Sequence, residues 1–292
     1  MDPRVVAILV GIVQGVLEWL PVSSEGSVAL LLTLVGNASP EVAVQYALFL
    51  PAGTAVAATT YYRGDVWALL RQLPEWRPTG AIDPDRAEFT FLAAATLSSA
   101  LVGAVAYTVL EDLASELAGG AFVALIGALL IVTGVVQRVA SERGEEAAPA
   151  ADDSRSERGA GSAGAHSSTT RPTLLDALLV GGLHGLAILP GVSRSGTTVS
   201  ALLLRGHAGV DALRLSFLLS IPAATGAGLL VLADTGLPGI DPTAALLAVA
   251  TSAVVGFLTV GALVRLVRRV AFWGVCVGFG ALAVVGGALL LV

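Results

Sequence analysis

Apolar stretches long enough to cross a bilayer recur at residues 42–62, 89–110, 118–139, 213–233, 243–264 and 271–292. Each has about the twenty residues that a helix needs to span a hydrocarbon core of ~30 Å. Two further regions break the pattern. Residues 5–20 are apolar but stop at Pro21, and after a polar turn residues 26–35 resume for only about 15 Å of helix. Residues 174–189 behave in the same way before Pro190, with the short run 196–204 beyond the turn.

Interrupted apolar segments in matching places of two halves predict re-entrant hairpins around a buried cavity. Backbone that bends at membrane depth is tolerated only where protein or water satisfies it. An offset of about 170 lays Gly15, Val22, Ser23 and Gly26 over Gly185, Val192, Ser193 and Gly196, and Pro51 and Pro222 each sit inside an apolar helix. The expected fold is an all-α polytopic membrane protein built as an inverted-topology repeat, with six transmembrane helices plus two re-entrant helical hairpins. The first repeat covers residues 1–140, with its hairpin at about 5–36. The second covers 173–292, with its hairpin at about 174–205. Residues 141–172 between them, rich in Glu, Asp, Ser, Gly and Ala, read as a disordered linker in which His166 has no role.

Charge orients this arrangement. If each hairpin returns to its own side and each long span crosses once, every arginine except Arg4 and Arg194 falls on one face. The positive-inside rule makes that face cytoplasmic, so both termini lie outside the plasma membrane and the linker 141–172 is cytoplasmic. The hairpins then enter from opposite faces and their tips meet near mid-membrane. Residues 65–73, with Trp67 and Trp76 nearby, read equally as an interfacial helix or as an amphipathic loop.

Composition agrees with the pattern. The chain is 55% hydrophobic and 13% charged, against roughly 25% charged in a soluble domain. Its partners are therefore a membrane and its lipids, and no nucleic acid is expected. The lone Cys276 excludes an intramolecular disulfide. No cleavable signal peptide is expected, because the first apolar run leads into Pro21-Val22-Ser23-Ser24 without a small-residue cleavage pattern. The net charge is −6 and every basic residue is arginine, which hints at a GC-rich genome or a salt-adapted host. Gly-rich helices such as that at 271–292 would allow close helix contacts, either inside the chain or across a homodimer.

The candidate chemistry lies in the two turns. The first reads Gln14-Gly-Val-Leu-Glu18-Trp-Leu-Pro-Val-Ser23-Ser24-Glu25-Gly26-Ser27, in which Gln14 and Glu18 share one helix face. A carboxylate at that depth costs a few kcal/mol unless it is paired or lines water. Glu18 therefore reads as a structural ion pair or as a working group, and Glu25 as a solvated loop residue or as part of the site. The second turn reads Pro190-Gly-Val-Ser193-Arg194-Ser195-Gly196-Thr197-Thr198. An arginine fork, several hydroxyls and the amides of the helix starting at Gly196 would form an anion site suited to phosphate. Together the tips offer what phosphoryl transfer needs: charge stabilisation and a positioned nucleophile. Glu18 would act as base or metal ligand, and Arg194 would grip the phosphates.

Gln14-x-x-x-Glu18 followed by Leu-Pro-Val-Ser-Ser resembles the (E/Q)xxxE motif of the undecaprenyl-diphosphate phosphatase (bacitracin-resistance protein) family. Pro190-Gly-Val-Ser-Arg-Ser-Gly-Thr-Thr is similar to that family's PGxSRSxxT motif. The likeness covers nearly the whole chain apart from the linker. It implies hydrolysis of a polyprenyl diphosphate carrier, undecaprenyl diphosphate or a similar lipid, to the monophosphate. It also implies a divalent cation, Mg²⁺ or Ca²⁺, and a cavity open toward the outer leaflet. Gln14, Glu18, Ser23, Ser24, Ser193, Arg194 and Thr198 match the family pattern. Ser27 stands where the family usually has histidine, so a hydroxyl of Ser24 or Ser27, or a metal-bound water activated by Glu18, would have to serve instead. His184, the counterpart of Gln14 where the family commonly has Gln, reads as a replacement imidazole or as a polar residue facing Gln14. His207 is expected to be uninvolved. The competing readings are a transporter or flippase for a polyprenyl phosphate or other anion, built on the same inverted repeat, and a degenerate lipid-binding protein.

Overall fold

The computed structural model describes residues 2–36, 38–73, 86–117, 119–147, 171–237, 242–267 and 270–291. The arginines at 77, 155, 158, 268 and 269, together with Trp76 and His166, lie outside the described residues, as does most of the linker. All regular structure among the described residues is helical. In chain order the helices are α1 (Pro3–Leu17), α2 (Ser24–Leu34), α3 (Pro40–Phe49), α4 (Pro51–Tyr61), α5 (Arg63–Gln72) and α6 (Ala87–Glu116). They continue with α7 (Gly119–Ala147), α8 (Leu174–Leu186), α9 (Arg194–Leu204), α10 (Gly209–Asp234), α11 (Pro242–Val267) and α12 (Trp273–Leu289).

Local chemistry sets most of these boundaries. Asp2 caps α1 by accepting from Arg4 N, and Pro3 occupies the first turn, where no backbone donor is needed. Thr173 and Asp176 close a capping box at the start of α8. Pro51 opens α4 directly after α3, so Pro40–Tyr61 forms one span interrupted at Leu50, whereas Pro222 sits inside an unbroken α10.

Five helices among the described residues are long and apolar enough to cross a membrane: Pro40–Tyr61, Ala87–Leu113, Gly119–Glu142, Gly209–Asp234 and Pro242–Val267. The chain is thus a multi-pass membrane protein. The sixth expected span is helical only over Trp273–Leu289, because a bend and turn occupy residues 270–272 before the helix starts. The helix before the expected linker continues past residue 141. Helix α7 runs on to Ala147, and Arg138 and Glu142 pair one turn apart at 2.9 Å on its exposed face. Helix α5 covers the region that read as helix or loop; it buries no side chain and leaves Trp67 exposed.

Packing relies on small residues. Helix α1 lies along α11 and α8 lies along α6. A Cβ on Gly11 would stand 2.6 Å from Ala248 O, and one on Gly181 would run into Ala95 O. One turn on, Gly15 meets Gly256 and Gly185 meets Gly103. The faces of α1 and α8 turned away from these contacts carry Val5, Ile8, Leu9 and Ile12, and Leu174, Leu175, Leu178 and Leu179, all exposed. Such wide apolar surface suits contact with lipid tails rather than water.

Candidate functional site

The two short-helix pairs bring their turns together. Helix α1 ends with Glu18 at its C-cap, and Ser23 caps α2 by accepting from Gly26 N at 3.0 Å. Ser193 caps α9 in the same way, accepting from Gly196 N at 3.1 Å. One residue after each cap glycine a hydroxyl turns back onto the helix: Ser27 donates to Ser23 O at 2.8 Å and Thr197 to Ser193 O at 2.9 Å. Ser23 Oγ also accepts from Gly191 N at 3.0 Å, and Ser195 Oγ donates to Leu20 O at 2.8 Å. A Cβ on Gly26 would stand 2.8 Å from Gly191 N, so the turns touch backbone to backbone. Gly191 itself has φ +105, a conformation that an L side chain adopts only with strain.

At this junction Arg194 NH2 donates to Glu18 Oε1 and, at 2.9 Å, to Glu25 Oε1. Glu18 Oε2 accepts from Gln14 Nε2 and from Ser24 Oγ, both at 2.8 Å, and Ser24 Oγ also lies 3.1 Å from Glu25 Oε2. The side chains of Arg194, Glu18 and Glu25 are only 10%, 7% and 5% exposed. Every bond recorded for Arg194 to the described residues leaves from NH2, so Nε and NH1 remain available. With both carboxyls ionised, two carboxylates against one guanidinium would give the buried cluster a net charge of −1, which burial makes costly until a further cation or a proton compensates it.

The cluster borders a cavity of about 400 Å³ lined by Glu25, Arg194, His184 and Ser99, with Pro51 and Pro222 among its apolar walls. The wall residues that are also exposed, Ala100 and Ala104 on α6 and Pro222, Gly226 and Leu230 on α10, place its mouth on the apolar outer surface of the bundle. A charged floor under small apolar walls suits an anionic head on an apolar tail.

The chain matches the family described as "Bacitracin resistance protein BacA" over residues 7–285. It belongs to that family. A protein of Haloarcula marismortui named "Undecaprenyl-diphosphatase" is 54% identical over 289 residues, covering 99% of each chain. Relatives of the same name are 35% identical in Methanococcoides burtonii, covering 95% of this chain and 96% of theirs, and 34% identical in Geobacter sulfurreducens, covering 90% and 89%.

Within this BacA-family chain, the structure gathers Gln14, Glu18, Ser24, Glu25 and Arg194 into one hydrogen-bonded cluster. Glu25, which the sequence left between loop and site, is buried and paired. Ser23, Ser193 and Ser195 bind backbone rather than the cavity, and Thr198 Oγ1 lies 2.6 Å from Ser216 Oγ and 2.7 Å from Arg194 O. These four hold the turns in shape. Ser27 is turned onto Ser23 O and is not part of the cavity wall. The Gly196 amide expected in the anion site is taken by Ser193 Oγ, because the cap forms on the nearest acceptor. His184 makes no hydrogen bond to Gln14; its Nδ1 lies 2.9 Å from Ser99 Oγ. His207 sits 3.4 Å from Asp176, which also pairs with Arg205, at the far end of α9.

Several supporting residues escaped the motif reading. Thr133 Oγ1 donates to Gly191 O and accepts from Ser193 N. Gln137 Nε2 and Cys276 Sγ both donate to Pro21 O. The available signal was a polar side chain inside an apolar span, which is costly at membrane depth and so marks a partner.

Proposed function

We propose that this chain hydrolyses undecaprenyl diphosphate to undecaprenyl monophosphate and inorganic phosphate, returning the lipid carrier to glycan assembly. The observation that carries this reading is Arg194, held through NH2 by Glu18 and Glu25 while Nε and NH1 remain for an anion at the floor of an apolar-walled cavity. The names of the relatives point the same way. The transporter reading draws on layout alone.

In this reading the diphosphate head enters between α6 and α10 while the polyprenyl tail stays in the lipid. Arg194 binds oxygens of the phosphates and offsets the charge that develops on them as the bridging P–O bond breaks. Glu18 and Glu25 fix the guanidinium, Gln14 fixes Glu18, and Ser24 holds the two carboxylates in register. The apolar walls keep bulk water out, so each of these interactions acts at low dielectric.

A divalent cation, Mg²⁺ or Ca²⁺, fits this donor set on one condition. No group of three or more His, Cys, Asp or Glu that could hold a metal occurs among the described residues. Glu18 and Glu25 nevertheless supply hard oxygens, and the buried Gln14 Oε1 beside them has no partner. That set suits a cation completed by the substrate's own phosphates rather than enclosed by protein. Such an ion would polarise the terminal phosphoryl group and supply the positive charge that the cluster lacks.

The inverted-repeat topology belongs to the same proposal. Its support is the pairing of α1 with α11 and of α8 with α6 through matching small residues, and the likeness of the two caps. Residues 1–140 and 173–292 are then the repeats. Both termini face outward across the plasma membrane, and the arginine-rich face is cytoplasmic.

The test is phosphate release from undecaprenyl diphosphate by purified protein in detergent, with Mg²⁺, Ca²⁺ or EDTA, beside Arg194→Ala. Release that needs the cation and is lost in the variant is expected. Absence of release with lipid binding retained would overturn the reading.

A further inference from the structure

The chain has three histidines. His166 lies outside the described residues, and His207 is engaged with Asp176 away from the cavity. His184 is different. It is 5% exposed, its Nδ1 is tied to Ser99 Oγ at 2.9 Å, and its Nε2 is buried with no partner among the described residues. It lines the same cavity as Arg194 and Glu25. A buried ring nitrogen left unsatisfied, on a residue that lines a cavity with an arginine in its floor, calls for a partner that the described residues do not supply. None of the described residues serves as its partner: Gln14 Nε2 is bonded to Glu18, and Gln14 Oε1 makes no hydrogen bond, to His184 or to anything else. The walls from α3, α4, α6 and α10 carry no charged group.

We propose that His184 Nε2 is the catalytic base of the phosphatase reaction, with Ser99 as its positioning residue. The inference rests on the phosphatase reading of the Glu18–Glu25–Arg194 cluster. In the tautomer that this role uses, Ser99 Oγ accepts from Nδ1–H and the lone pair is on Nε2. A water oxygen attacks the terminal phosphorus as its proton passes to Nε2. The bridging P–O bond breaks and its electron pair stays on the bridging oxygen, which leaves as part of undecaprenyl monophosphate beside Arg194. Nε2 then returns its proton to the departing inorganic phosphate. The imidazole thus comes from the second turn rather than from position 27 of the first.

The experiment compares wild type, His184→Gln and His184→Ala in detergent, reading kcat, KM, thermal unfolding and rescue by added imidazole. A general base contributes roughly 100-fold or more. We expect kcat to fall about 100-fold with KM little changed, unfolding within a few degrees of wild type, and partial recovery of His184→Ala by imidazole. Retention of kcat within about twofold in folded His184→Gln would overturn the proposal alone. No release by wild type would overturn the phosphatase reading and this proposal with it. If neither His184 variant folds, Ser99→Ala decides: a reduced kcat with a displaced pH profile supports the role, and an unchanged kcat and profile removes it. The charged groups that share the cavity with His184 are Glu25 and Arg194, with Glu18 behind them.

Discussion

Replacing Glu25 with glutamine should separate the stability of the cluster from its chemistry. At ~4 Å and an effective dielectric of about 20, two unit charges interact by about 4 kcal/mol. Glu25→Gln forfeits an attraction of that order to Arg194 and relieves a repulsion of similar order from Glu18, which holds the same NH2. The two changes nearly cancel. What remains is the desolvation of a carboxylate that is 5% exposed, a penalty of several kcal/mol that the neutral amide escapes. The hydrogen bonds survive, since the amide oxygen can still accept from Arg194 and Ser24 already lies closer to Glu18 than to Glu25. The expected result in metal-free detergent is a melting temperature equal to or above that of wild type. Phosphate release should fall by about 100-fold or more, because Glu25 would no longer offer an anionic oxygen to the proposed cation or a charged partner to Arg194. A fall of many degrees in melting temperature, or activity close to wild type, would refute this charge accounting.

Arg194→Ala should behave in the opposite way, leaving two buried carboxylates without their cation at a cost of about 3–5 kcal/mol; unfolding in detergent and loss of phosphate release check it together. Gly191→Ala forces a side chain into φ +105 with its Cβ 2.5 Å from Ile126 O, so a destabilisation of at least about 2 kcal/mol is expected in thermal unfolding. Ser27→His should change kcat by no more than a few-fold, since position 27 is turned onto the Ser23 carbonyl; a gain of tenfold or more would show that an imidazole there can reach the phosphate.

Interactions that act over a few residues were legible in the sequence. Apolar length marked the spans, and Pro21 and Pro190 with their Ser-rich turns marked where α1 and α8 stop. The spacing of Gln14 and Glu18 anticipated a bond that closes within one helical turn. The family followed from two motifs that are each contiguous. Tertiary structure decided the rest. Glu25 could have been a loop residue until the second turn brought Arg194 to it from far along the chain. The Gly196 amide pointed to an anion until Ser193 took it, and Ser99 became the support of His184 only because Gly185 lets α8 lie against α6. Hydropathy and capping depend on neighbours in sequence, whereas a buried charge or an unpaired ring nitrogen gets its partner from whichever helix the packing of small residues brings within reach.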